Sequence, residues 1–197
     1  IRCHTGITER TLTTIKESAF RNTGMTSNLV IPVSVSYMGP YTFAECAKLT
    51  DITFEESLEE NPAAITMDKG IYLGTYNFYK CTNLSRMTLC KRIPVIPAYF
   101  AYGCTQLKTV EWPENLGEIG KYAFGQNVSL MSSDFSKTKL ESVGESAFAG
   151  CSALPAAVFP AESFTTIKEE AFREAGMTGK LVLPASVTYR SEKRRVG

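Results

Sequence analysis

The sequence predicts an α/β solenoid in which short parallel strands stack into a sheet on one face and short helical or 3₁₀ turns line the other. Three observations carry this expectation: a phenylalanine that recurs at near-constant spacing, two further apolar columns locked to it, and a short alternating stretch that often closes on proline. The anchors are Phe20, Phe43, Phe78, Phe100, Phe124, Phe148 and Phe172, with spacings of 23, 35, 22, 24, 24 and 24. The one long spacing marks an insertion near residues 55–70. The whole of 1–189 thus reads as a single array of about seven units.

Each element of the unit follows from its residues. Five positions before the anchors stand Ile15, Met38, Leu73, Val95, Ile119, Val143 and Ile167. Eleven after them, or twelve in the fourth unit, stand Ile31, Phe54, Leu89, Trp112, Phe135, Phe159 and Leu183. Between anchor and second column, stretches such as "CAKLTDITF" alternate apolar with polar residues, which is the signature of a strand with one buried face. Pro32, Pro113, Pro160 and Pro184 follow the strand, where a fixed φ and a missing N–H end the ladder. Gly39, Gly74, Gly120 and Gly144 precede the anchor by four, as a position needing positive φ or a close backbone approach would. The "ESAF" or "KYAF" segment that follows has room for a turn or so of helix, stable only by packing its phenylalanine inward. One strand and one return segment cannot bury their own apolar stripe, so the units must stack. Each buried ring then contributes about 1.5–3 kcal/mol of transfer free energy.

The repeated motif, L-x-x-I-x-(L/I/F)-P followed by I-G-x-x-A-F-x-x-C, resembles the BspA-type (Treponema pallidum class) leucine-rich repeat over roughly residues 7–189. The resemblance implies a right-handed horseshoe or superhelix. It also implies a secreted or cell-surface protein whose usual role is adhesion to host proteins or to other cells. The first and last units depart from the motif, reading "NTGMTSNLVIP" and "EAGMTGKLVLP", and Ser133 weakens the strand of the fifth.

Composition bounds the partners. The 197 residues are 44% hydrophobic, enough for a continuous core, and 21 basic against 20 acidic residues give a net charge of +1. That balance offers no electrostatic reason to expect nucleic acid. No apolar run reaches the roughly 18 residues of a membrane span, so no membrane insertion is expected of this segment. The chain opens at Ile1 without methionine, as a piece of a longer protein would. Residues 190–197, "RSEKRRVG", resemble translated adapter sequence and read as a non-native tail; a genuine basic tail is the alternative, and either lies outside the fold.

The cysteine column reads Thr23, Cys46, Cys81, Cys104, Asn127, Cys151 and Ala175. A metal ligand or obligatory disulfide does not tolerate alanine, so the column reads as small inward filler, and no metal or cofactor is expected. The lone histidine, His4, adjoins Cys3, but a Cys/His nucleophile needs groups brought together by the fold with an orienting partner, so no enzyme is expected. Glu55, Glu56, Glu59, Glu60 and Asp68 of the insertion lack the spacing of a calcium loop. The insertion reads as a solvated loop or short capped helix, with a part in binding as the alternative. Of the two sequons, at Asn83 and Asn127, the second falls in the inward column.

The remaining candidate surface is the outward side of the strands. Its central positions are Asp51 and Thr53, Arg86 and Thr88, Thr109 and Glu111, and Ser132 and Asp134, polar and mixed in charge. No aromatic cluster marks a hot spot among them. The expected function is an interaction module binding a protein or glycan, host-derived where the resemblance holds. A passive spacer within a larger surface protein is the alternative.

Overall fold

The computed structural model describes residues 12–56, 70–178, 181–187 and 189–190. Strands of successive coils pair in parallel and in register. β2 (Ser27–Ile31), β4 (Leu49–Phe54), β6 (Arg86–Thr88) and β8 (Thr109–Glu111) form one sheet in that order. A second, narrower ladder precedes the anchors. It runs through β1 (Thr14–Ile15), β3 (Tyr37–Met38) and β5 (Tyr72–Leu73). It resumes through β7 (Val95–Ile96), β9 (Glu118–Ile119), β10 (Ser142–Val143), β11 (Thr166–Ile167) and β12 (Tyr189–Arg190). The pairing of β12 reaches Arg190, one residue into the stretch expected to lie outside the fold.

The core lies between the two ladders. Phe43, Phe78, Phe124 and Phe148 are buried, and Phe20 and Phe172 at the ends are partly so. The rings lie face to face, Phe43 on Phe78 at 5.6 Å and Phe124 on Phe148 at 5.7 Å between centroids.

Two sequence expectations need correction. The first is the register of the fourth coil. The N–H of Phe43 bonds Asn77, that of Phe78 bonds Phe100, and that of Ala101 bonds Ala123. Ala101, not Phe100, therefore occupies the anchor position, and the extra residue assigned to this unit does not exist. The partner of Ile119 is likewise Ile96, fully buried, while Val95 is 47% exposed. Phe100 still fills the core from the neighbouring position, but meets Phe78 edge-on at 88° and so interrupts the face-to-face stack.

The second is the helical or 3₁₀ turn, and with it the α/β class: among the described residues there is no helix, and the fold is a parallel-strand β-solenoid. The return segments have two residues per coil, four apart, in the left-handed region, as at Tyr41 (φ 55°) and Glu45 (φ 62°) or Tyr122 (φ 52°) and Gln126 (φ 61°). A left-handed residue costs about 1–2 kcal/mol and cannot sit inside a right-handed helix. What offsets the cost is direction. From Ser18 to Gly150 every such residue donates its N–H to a carbonyl of the following coil, Tyr41 to Thr75 at 3.0 Å and Glu45 to Tyr79 at 2.7 Å. The anchor midway between them also bonds the next coil, and the residue after the anchor closes a local turn, as Ala44 does on Tyr41. The return segment is thus a third inter-coil ladder rather than a helix.

Of the two readings of the glycine column, the close approach holds. None of Gly39, Gly74, Gly120 and Gly144 has positive φ, but a Cβ on Gly144 would lie 2.6 Å from the carbonyl carbon of Gly120 in the coil below. In the fourth coil Pro97 takes this place. Gly39, Gly74, Gly120 and Gly144 each donate an N–H to the preceding coil; Pro97 has none to donate, and the narrow ladder breaks there between β5 and β7.

Candidate interaction face

The predicted outward residues come together in two columns. Asp51, Arg86 and Thr109 are register partners, and so are Thr53, Thr88 and Glu111. Ser132 and Asp134 continue these columns in the fifth coil, where regular pairing fails and a single bridge joins Asp134 to Val158. All eight are at least partly exposed.

The failure of the fifth strand has a local cause. Ser133 occupies the inward column that Leu29, Ile52, Met87 and Val110 fill in the preceding coils, and is buried there. A small polar side chain leaves volume unfilled and requires hydrogen-bond partners. Its hydroxyl lies 3.4 Å from the carbonyl oxygens of Pro155 and Ala156, and the Ser132 hydroxyl accepts the N–H of Val110 at 2.9 Å. The result is an open cleft of about 330 Å³ across the fourth to sixth coils, walled by Val110, Trp112, Met131, Pro155, Ala156 and Val158 with Asp134 among its lining. Met131 and Val158 are 54% and 50% exposed. Hydrogen bonds from the Ser136 hydroxyl and from its N–H, at 2.9 Å, hold the Asp134 carboxyl below the usual carboxylate range, helped by Lys137.

Trp112 lines the cleft and packs against the core, with Phe124 and Phe148 at steep angles to the indole and Phe135 tilted on it at 5.0 Å. Its role in the cleft was hidden in the sequence, where it reads as one more core residue of its column. The signal was the pair of serines in "LMSSDF", which breaks the apolar alternation of the strand.

A second feature, absent from the sequence reading, lies on the return segments. Tyr41, Tyr76, Tyr99 and Tyr122 stack face to face at 4.6, 4.6 and 5.1 Å, with Tyr79 and Tyr102 stacked alongside at 5.7 Å. Arg21 caps the Tyr41 ring at 5.3 Å and Lys121 the Tyr122 ring at 5.6 Å, each cation also paired to a glutamate at 2.8 Å. The tyrosines line up only when the fourth coil is counted from Ala101, so the misplaced anchor concealed them. Their faces are largely used on one another and on the capping cations, which makes the row a spine of the stack.

The cysteine column is buried, and it is more than filler. Cys46, Cys81, Cys104 and Cys151 are free thiols, each donating to a carbonyl of the preceding coil. Asn127 is fully buried in the same column. Cys3, His4, Glu59, Glu60 and Asp68 lie outside the described residues. Glu55 and Glu56 do not point to a common site: Glu55 accepts the N–H of Val33 and Glu56 that of Lys91. Among the described residues no three His, Cys, Asp or Glu side chains converge as a metal site would require, and no helix is long and apolar enough to cross a membrane.

Parallel coils joined by in-register strand ladders define a repeat solenoid. The family model of the BspA-type leucine-rich-repeat region matches residues 5–65 and 71–193 in six copies, and the chain belongs to that family. In three dimensions it is similar to a leucine-rich repeat protein from Bacteroides ovatus, with 27% identity and a TM-score of 0.70 over 83% of this chain and 38% of that one. It is also similar to the Treponema pallidum leucine-rich repeat protein, with 26% identity and a TM-score of 0.56 over 72% of this chain and 60% of that one. A leucine-rich repeat protein from Eubacterium ventriosum, 20% identical with a TM-score of 0.54, shares the fold. The chain thus spans less than two thirds of the length of these relatives. No curated protein matches it in sequence.

Proposed function

We propose that this chain is the binding module of a secreted or cell-surface protein and engages a protein partner through its strand face. Leucine-rich-repeat modules typically serve protein interaction, and the family membership supports that class of role. The observation that carries the reading is the pair of outward columns. Asp51, Arg86, Thr109 and Ser132 stand beside Thr53, Thr88, Glu111 and Asp134, which concentrates mixed charge and hydrogen-bonding capacity in two columns while the tyrosines of the return segments hold the stack. A protein surface with complementary charges would gain both encounter rate and specificity from such an array.

The test is binding of the labelled chain to a panel of immobilised extracellular host proteins and glycans. A ligand captured by the parent is expected to be lost by the R86E/E111K/D134K variant and kept by an S152A variant, outside the two outward columns. Undiminished capture by the triple variant would sink the strand-face reading. Retention on glycans but on no protein would shift the partner class.

A further inference from the structure

We propose that the cleft at the interrupted fifth strand seats an aliphatic side chain ending in a cation, a lysine or arginine projected from an extended segment of the protein partner. This rests on the strand-face reading and adds the anchor residue that the partner must supply. The cleft exists because Ser133 replaces the larger apolar residues of its column, so its walls are side chains that a regular coil would cover. Val110, Met131 and Val158 offer an apolar slot for a flexible stem, and long basic side chains bury their stems on such surfaces while keeping the charge at the rim.

Charge selects the head group. Asp134 lines the cleft, and Glu111, the register partner of Thr88, holds the matching sequence position in the coil before it. Neither is in an ion pair among the described residues. Lys137 attracts Asp134 without coming within ion-pair distance of it. A cation placed at the mouth of the slot would be drawn to the Asp134 carboxylate that lines it.

Trp112 is the single tryptophan of the chain, so its emission reports occupancy of the cleft directly. The probes are three blocked tripeptides, acetyl-Val-Lys-Val-amide and its counterparts with norleucine or glutamate at the centre. The lysine peptide is expected to shift Trp112 emission saturably, with a half-saturation about three- to fivefold below that of norleucine, the scale of one exposed ion pair. Glutamate should be weakest, and the lysine advantage should shrink with added salt. The E111Q/D134N variant, which keeps an acceptor for the N–H of Ser136, should equalise lysine and norleucine while still responding to both.

Equal response of the parent to lysine and norleucine, preference for glutamate, or no emission change with any peptide would overturn the proposal. These outcomes leave the strand-face reading standing on its own partner-capture experiment. Loss of that reading, conversely, would not alter the peptide titration.

Discussion

The thiol of Cys151 donates a hydrogen bond to the carbonyl oxygen of Phe124, one coil below, at 3.1 Å. The same bond recurs from Cys81 to Phe43 and from Cys104 to Phe78, both at 3.1 Å, so each thiol ties its coil to the anchor of the preceding one. A thiol suits this slot because it is compact enough for the core yet carries a weak donor for the anchor carbonyl of the coil below.

The protonated thiol is therefore part of the fold, and alkaline pH should erode stability. Burial pushes Cys151 up to about 12 from an ordinary 9.0. Cys81, hydrogen-bonded to Cys104 and buried, is raised well above the same value, and burial also raises Cys90. Above pH 9 the unfolded chain releases protons that the folded chain retains, so unfolding becomes easier as pH rises. Denaturant midpoints should be level below about pH 9 and fall progressively from there toward 12. In a C151A variant the fall should be shallower. A midpoint that is flat across that window would show that the thiols are not held protonated by the fold. Because these cysteines are free, reductant should leave the melting temperature unchanged.

The fourth coil offers a test of register. Phe124→Ala should cost about 3–5 kcal/mol, the usual loss on truncating a buried aromatic ring. The double exchange F100A/A101F keeps core volume and moves the ring into the anchor column, where it can join the stack between Phe78 and Phe124. Its stability should lie within about 1.5 kcal/mol of the parent, as volume-conserving core exchanges do, whereas A101F alone overpacks and should lose about 1–3 kcal/mol. If the double exchange instead unfolds the chain as readily as Phe124→Ala, Ala101 does not occupy the anchor position.

Gly144→Ala should lower stability through a clash rather than through conformational preference. The added Cβ would sit 2.6 Å from the Gly120 carbonyl carbon and 2.8 Å from the N of Lys121, both rigid backbone. The coils must separate locally, which loosens the inter-coil bond from Gly144 to Ile119, now 2.7 Å. A loss of about 2 kcal/mol is expected, in the range of overpacked sites. Gly24→Ala, where nothing lies within 4 Å of the new Cβ, is the control and should be nearly neutral. Equal midpoints for the two variants would contradict the close stacking.

The sequence by itself determined that the chain stacks. Apolar residues at a fixed period have to be covered by neighbouring units, and this placed Phe43, Phe78, Phe124 and Phe148 in the core and the polar pairs from Asp51 to Asp134 on the outside. Register was decided only in three dimensions. A phenylalanine at position 100 and one at 101 look alike as periodic apolar signals, and inter-coil hydrogen bonding alone chose between them, which moved Ile96 inward and aligned Tyr99 with its neighbours. The return segments were misread for a related reason: short helix-compatible residues were weighed by local propensity, while the bonds that fix them run to the next coil. The cleft, too, belongs to tertiary structure. Ser133 marks a weak strand in one dimension, but only the packing of the coils on either side turns its missing volume into an opening bordered by Trp112 and Asp134.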